Sequence, residues 1–527
     1  MKRIITTLII ILAVFVGMYI NSLIVKIKLA RNTADTSFFL PVQGSKLDMV
    51  INMLNYSYVD TVDINKIEDD AIEQLIKNLD PHTTYIPAKE LNKINEGMLG
   101  NFGGIGIQFY KYLDTVNVIR VIEGGPSEEE GILAGDKIIS VNDTTIAGVK
   151  MQDTKIMSMM RGEMGTTVTL KILRENKLIT KRIERGNIPV KSVDVAYMIN
   201  DTTGYIKVNT FGMHTYDEFM LAMNNLKGEG MQKVIVDLRN NEGGILPIAL
   251  KMVNEFLPSN RLILYTQGKA SPRADYYSNG KGMYSDIKLI ILINEDSASA
   301  SEIFAGAIQD NDRGLIVGRR SFGKGLVQEQ RMLPDGSALR LTVARYYIPS
   351  GRSIQRPYNE GKEKYYSDYY ERVMHGELSE KDSIHFDENQ KFVTLGGRTV
   401  YGGGGIMPDV FVPADTVGYS DYLMNLSRSM QLYNYTFYFM EHHRKDMQNL
   451  RNYKDVVNYL NQYDIVSEMV NYAEQHGVKL DPKGLKESYA VIKTQLQAYI
   501  ARHILDDPAF YPIIADIDGT LQKAISE

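Results

Sequence analysis

The 527-residue chain contains no cysteine. That absence removes disulfides, thiol nucleophiles, thiolate metal sites and a lipidated N-terminal cysteine together. Among eight histidines there is no H-E-x-x-H pair or other cluster for a metal, and no G-x-S-x-G nucleophile elbow. Neither a metal nor another cofactor is expected. Lys and Arg (59) against Asp and Glu (64) give a net charge of −5. The basic residues are dispersed instead of forming a stripe that could neutralise a phosphate backbone, so nucleic acid is not expected as a partner. What remains is an ordinary globular balance, 44% hydrophobic and 23% charged. The length calls for roughly three or four compact units of about 100 to 200 residues each.

Long apolar runs are scarce, with one exception. Ile4 to Val25 carries no charged residue, and about 20 apolar residues of helix cross a bilayer core. A membrane anchor is expected within residues 1–31. A cleaved signal peptide competes with that reading, but its apolar region is usually about 7 to 15 residues and no A-x-A-like site follows here. Lys2 and Arg3 before the run, and Lys26, Lys28 and Arg31 after it, leave the orientation open.

The remaining texture divides into four stretches, giving a multidomain α/β chain. Residues 32–99 read as helical, with His82 in a Pro81 turn expected to be a joint and not a catalyst. Residues 100–187 read as short alternating strands, Ile105 to Tyr110, Val116 to Ile122, Lys137 to Val141, Thr167 to Leu173 and Ile179 to Ile183, around one helix, Gln152 to Met160. In residues 188–415, Val234–Leu238 and Leu289–Ile293 are apolar runs of strands covered on both faces, each followed by a loop and a helix. Val327 to Leu333 and Ala338 to Tyr347 read as a hairpin turning at Pro334-Asp335-Gly336. Residues 416–527 form a helical extension without a motif, and Gly402 to Gly405 lacks the Lys-Ser or Lys-Thr of a phosphate loop, so it reads as a bend.

Two glycine segments in the strand-rich region, Gly103-Gly104-Ile105-Gly106-Ile107 and Gly125-Pro126-Ser127 through Gly135-Asp136-Lys137-Ile138, resemble a PDZ domain. Convergent backbone N–H groups at Gly104, Ile105, Gly106 and Ile107 suit a terminal carboxylate, and a strand edge suits an added peptide strand. A plain glycine-rich hairpin is the alternative. Met157 and Met160 are placed either in the groove or in the core.

Ser297-Ala298-Ser299-Ala300-Ser301-Glu302 followed by Ser321-Phe322-Gly323-Lys324-Gly325-Leu326-Val327-Gln328 resembles the carboxy-terminal processing (tail-specific) protease family. The resemblance implies a crotonase-like α/β protease core, Ser299 as nucleophile, Lys324 as base and Gln328 as the group orienting the amine. It also implies an oxyanion hole from Ala300 and a glycine of Asp237-Leu238-Arg239-Asn240-Asn241-Glu242-Gly243-Gly244, either Gly243, the preferred one, or Gly244. A lysine base must lose its proton, and moving an amine from about 10.4 to near 7 costs about 4 to 5 kcal/mol, so Lys324 must be buried. Asp310 is a further candidate, which a solvated helix end explains equally well.

The expectation is a membrane-anchored serine endopeptidase, its catalytic part on the periplasmic side of the inner membrane, acting on envelope proteins with free C-termini. Homo-oligomerisation stays open. The rival readings are a non-catalytic PDZ scaffold and an acyl-transfer enzyme on a similar core.

Overall fold

The computed structural model describes residues 45–385, 387–414 and 417–527. The expected membrane anchor lies outside the described residues. Among the described residues no helix is long and apolar enough to cross a membrane. Two compact units meet in sequence at Leu75 and Ile76. In the first, Ser45 begins the helix Lys46–Ser57 with a reciprocal cap: Asp48 N–H donates to Ser45 Oγ, and Ser45 N–H donates back to the Asp48 carboxylate at 2.7 Å.

The second unit opens with the strand Thr84–Ile86, which pairs with Ala338–Arg340, and the helix Ala88–Leu99. The strand-rich region follows as expected. Ile107–Tyr112, Thr115–Val121, Lys137–Val141, Thr167–Arg174 and Lys177–Glu184 form one antiparallel sheet, with the short strand Thr144–Thr145 beside Lys137–Val141. The helix Asp153–Met160 covers it, burying Ile156 and Met160. Met160 is therefore core, whereas Met157 is 37% exposed.

The central sheet runs Val193–Met198, Thr203–Val208, Lys233–Asp237, Lys288–Ile293, Leu315–Gly318, Val410–Phe411, with only the first pair antiparallel. Alternation along its strands feeds two cores. Val234, Val236, Leu289 and Ile291 face the helices Thr215–Gly228, Leu246–Asn254 and Ala300–Asp310. Ile235, Ile290 and Leu292 face Ala515, Leu521 and Ala524 of the C-terminal extension. That second cover explains why these strands read as unbroken apolar runs. Each fully buried Ile, Leu or Val contributes about 1.5–3 kcal/mol, so the end of the chain is part of the core.

The hairpin Leu326–Met332 with Ala338–Tyr347 forms, and joins a second antiparallel sheet with Leu262–Gln267, Ala274–Tyr277 and Thr84–Ile86. The helical extension also holds the strand-rich domain. Tyr110 stacks on Phe437 with ring centroids 4.4 Å apart and donates to Asn434 at 2.8 Å. Lys137 pairs with Glu441 at 2.6 Å, and Arg120 pairs with Asp506.

Candidate active site

The strands Lys233–Asp237 and Lys288–Ile293 end side by side, with Asp237 opposite Leu292. Their following loops are bound to each other. Asn240 N–H donates to Asn294 Oδ1 at 2.8 Å, Asn294 Nδ2 returns to Asn240 Oδ1 at 2.6 Å, and Ala298 N–H donates to Asn241 O at 3.0 Å. Ser299 follows as the N-cap of the wholly buried helix Ala300–Asp310, with φ 54° and ψ −112°. A non-glycine residue held at such a φ costs about 1–3 kcal/mol and survives only where its surroundings over-determine it. Part of that constraint is Gly243, where a Cβ would lie 2.8 Å from both Ser299 Cβ and Ala300 N. Only glycine lets this loop approach so closely.

Glu302, fully buried, binds the Ser299 segment to the Lys324 segment. One oxygen accepts from Ser299 N–H at 2.8 Å and Lys324 N–H at 2.9 Å; the other accepts from Ser321 Oγ at 2.6 Å and Gly323 N–H at 2.7 Å. Burial without a paired cation pushes its carboxyl up to about 7, although all four donors oppose that rise. Tyr346 grips the same two residues from the other side: its hydroxyl donates to Lys324 O at 2.6 Å and is 3.2 Å from Ser299 O. The backbones of Ser299 and Lys324 are thus joined through their amides and through their carbonyls.

Lys324 is half-buried, and its pKa lies below the ordinary value near 10.5. Burial is the main cause, the positive charge of Arg340 adds to it, and Glu302, Glu242 and Asp80 work against it. Among the described residues its Nζ forms no hydrogen bond or ion pair, with Ser299 Oγ or with any other group. Gln328 Nε2 donates to His82 O at 2.5 Å. His82, expected as a joint, accepts that bond through its backbone carbonyl. Its ring nevertheless lies at the site, with Nε2 2.9 Å from Tyr365 OH and its centroid 6.5 Å from that of Phe322. Burial first, and the charge of Lys324 second, bring the His82 imidazole down to about 4, so it is neutral at physiological pH.

Of the two glycines expected for an oxyanion hole, Gly243 spends its N–H on Asn241 Oδ1 at 2.9 Å, whereas Gly244 N–H has no partner among the described residues. Ala300, the first residue of its helix, carries an amide with no intrahelical acceptor. At the other end of that helix, Asp310 pairs with Arg352 at 2.9 Å with both side chains wholly buried, and takes Ser350 N–H at 3.0 Å. It is a structural ion pair, about 16 Å along the helix from Ser299. His214 stands at the N-cap of the helix Thr215–Gly228 without a side-chain capping bond, its ring against Gly100. In the strand-rich domain the amides of Ile105 and Gly106 donate to no described group, while their carbonyls accept from Ser127 and Ile122. Gly104 and Ile107 sit in the flanking strands. Among the described residues no group of three His, Asp or Glu side chains could hold a metal ion.

A second polar cluster lies beneath the loop that carries Gly243. Asp237, at the end of its strand, accepts from Tyr205 OH at 2.7 Å and from Arg239 Nη2 at 2.6 Å, with Lys207 Nζ 3.7 Å away. Arg239 also binds Asp518 of the C-terminal extension at 2.6 Å.

Residues 202–361 match the model of peptidase family S41 and residues 103–184 that of the PDZ domain; residues 422–506 match a family of unknown function. Within this chain a segment similar to the PDZ domain thus precedes a segment similar to peptidase family S41. Similar proteins include one from Staphylococcus epidermidis named probable CtpA-like serine protease, 34% identical over 59% of this chain and 62% of its own. One of the same name from Staphylococcus aureus gives the same identity and coverage. The chain thus spans less than two thirds of the length of these relatives. Among solved structures, a photosystem II D1 C-terminal processing protease aligns over 71% of this chain and 88% of its own, at 24% identity and a TM-score of 0.38.

Proposed function

We propose that this chain is a serine endopeptidase that cuts polypeptides with Ser299 as nucleophile and Lys324 as general base, and reads their free C-terminal tails through the PDZ domain. The observation carrying this reading is the double tie between Ser299 and Lys324, made by Glu302 through their amides and by Tyr346 through their carbonyls. Two loops from different strands are held together there, and burial lowers the pKa of the amine on one of them.

In the proposed reaction the neutral Lys324 amine takes the Ser299 hydroxyl proton as Oγ bonds to the scissile carbonyl carbon. The resulting oxyanion meets the amide of Ala300 and that of a glycine in the 243–244 pair. The C–N bond then breaks, the leaving nitrogen takes the proton back from the Lys324 ammonium, and an acyl-enzyme remains. Water attacks this ester while giving a proton to Lys324, and Ser299 Oγ leaves with that proton. Lys324 Nζ must swing toward Ser299 for the first step, since no hydrogen bond joins them here.

The free amides of Ile105 and Gly106 support tail capture, because a carboxylate is the ligand such a pair of donors suits. Placement of the catalytic part on the periplasmic side of the inner membrane, anchored by Ile4–Val25, and action on envelope proteins rest on the sequence alone.

The test uses one internally quenched peptide with either a free or an amidated C-terminus. Wild type cleaves it, and Ser299→Ala and Lys324→Ala do not; retention of cleavage in either variant ends the proposal. Amidation raises KM, and indifference to it removes the tail-recognition part. Because the base must be neutral, kcat/KM rises with pH through a midpoint below the ordinary lysine value near 10.5.

A further inference from the structure

The turn Asp80-Pro81-His82-Thr83 lies far from the nucleophile in sequence, yet it closes on the strand that carries Gln328. Asp80 Oδ1 accepts from His82 N–H and Thr83 N–H, both at 2.9 Å, and from Thr342 Oγ1 at 3.0 Å. Asp80 Oδ2 accepts from Thr83 Oγ1, which in turn accepts from Thr342 N–H at 3.2 Å. Thr342 is the residue directly across the hairpin from Gln328, at a bulge where the pairing skips Val343. Bulges re-aim side chains next to active sites. Tyr366 OH adds a bond to Pro81 O at 3.1 Å. The turn is therefore fixed to Gln328's own strand partner, and its His82 carbonyl receives Gln328 Nε2 at 2.5 Å.

A carbonyl can only accept, and an amide side chain has one donating and one accepting end. We infer that the Asp80–His82 turn sets the amide orientation of Gln328: Nε2 is committed to the His82 carbonyl, which leaves Oε1 to accept an N–H of the Lys324 amine. Asp80 is thereby a positioning residue, acting through His82 and Gln328. The opposite orientation would present N–H to the amine and occupy the lone pair that must take the serine proton. Burial works against the Asp80 carboxylate, but its hydrogen bonds, that of Thr83 first, outweigh it and hold its pKa below the ordinary value.

This inference rests on the proposed function, so wild type and Ser299→Ala are compared first on the internally quenched peptide with a free C-terminus. Given serine-dependent cleavage, a failure below counts against the turn alone. Asp80→Ala lowers kcat about tenfold with KM within about twofold. Asp80→Asn keeps the Oδ1 acceptor with its three donors, and stays within about threefold of wild type. His82→Ala keeps the carbonyl and also stays within about threefold. Asp80→Ala combined with Gln328→Ala is no slower than Gln328→Ala alone, because both changes remove one device. Multiplying losses in the double variant would overturn the assignment. So would a His82→Ala loss as large as that of Asp80→Ala, which would assign the role to the ring. A loss in Asp80→Asn as large as that in Asp80→Ala, with KM raised in both, would reduce the turn to a folding element.

Discussion

Asp237 and Glu302 are both buried carboxylates at the ends of core elements, and they respond to burial in opposite ways. Burial raises the proton affinity of each. Around Asp237, Arg239 and Lys207 supply positive charge that more than compensates, and its pKa falls far below the ordinary range. Around Glu302 the donors are three backbone amides and one hydroxyl, all neutral, and its pKa rises to about 7. At Glu302 the neutral donors do not outweigh burial, and at Asp237 the adjacent cations do. Asp237 is thus a fixed anion fastening the C-terminal extension to the sheet through Arg239 and Asp518. Glu302 is a carboxyl near its titration point, fastening the Ser299 loop to the Lys324 loop.

The sharpest break of this contrast is Asp237→Asn, which leaves Arg239 and Lys207 buried beside a neutral partner. Loss of one member of a buried pair costs about 3–5 kcal/mol, to be read as a lower urea midpoint. A midpoint within error of wild type would show that the cations find other partners. The native pKa of Asp237 is depressed, so its stabilisation is present above about pH 3.8 and is lost as pH falls below that value.

Glu302→Gln acts on activity. An amide offers one acceptor oxygen to four donors, so one pair of N–H or O–H groups must face its NH2. Peptide cleavage should slow about 100-fold, or about 2.7 kcal/mol at 1.36 kcal/mol per factor of ten. Its pH signature is the reverse of that for Asp237. The native carboxyl binds its proton more tightly than the ordinary value of 4.5, so its contribution to stability is full below pH 4.5 and declines as pH rises to about 7. Wild-type urea midpoints should carry that downward slope, and Glu302→Gln should flatten it. An unchanged slope would mean that Glu302 is charged throughout, like Asp237.

The sequence carried the local parts of this picture. Val234–Leu238 and Leu289–Ile293 were legible as strands because apolar continuity is a short-range pattern, and Pro334-Asp335-Gly336 marked the hairpin for the same reason. Ser299 and Lys324 were legible through motifs, and the structure brings their backbones together. Glu302 was in view but had no role, since an acid in the first turn of a helix ordinarily complements the dipole. Asp310 could be read as a solvated helix end because nothing in the sequence couples it to Arg352. The roles of His82 and of the terminal helix Gly519–Ser526 were beyond reach for one reason. Each acts on a strand distant in the chain, and periodicity identifies a buried face without naming what covers it.

Tyr346→Phe asks whether Glu302 is sufficient by itself to hold the two loops. The hydroxyl has one hydrogen for two carbonyls, and the shorter contact, 2.6 Å to Lys324 O, is the stronger claim on it than 3.2 Å to Ser299 O. Phenylalanine keeps the ring in the buried core and removes only that donor. A buried acceptor left without its partner costs about 1–3 kcal/mol. The loss falls on the Lys324 loop, because that is where the hydrogen resides. Cleavage should therefore slow about tenfold through kcat with KM little changed, and the slope of stability with pH assigned to Glu302 should persist. If Tyr346→Phe cleaves as fast as wild type, the amide side alone fixes the loops. If it matches Glu302→Gln, the carbonyl side is equally indispensable and the titrating carboxylate has no special place in the site.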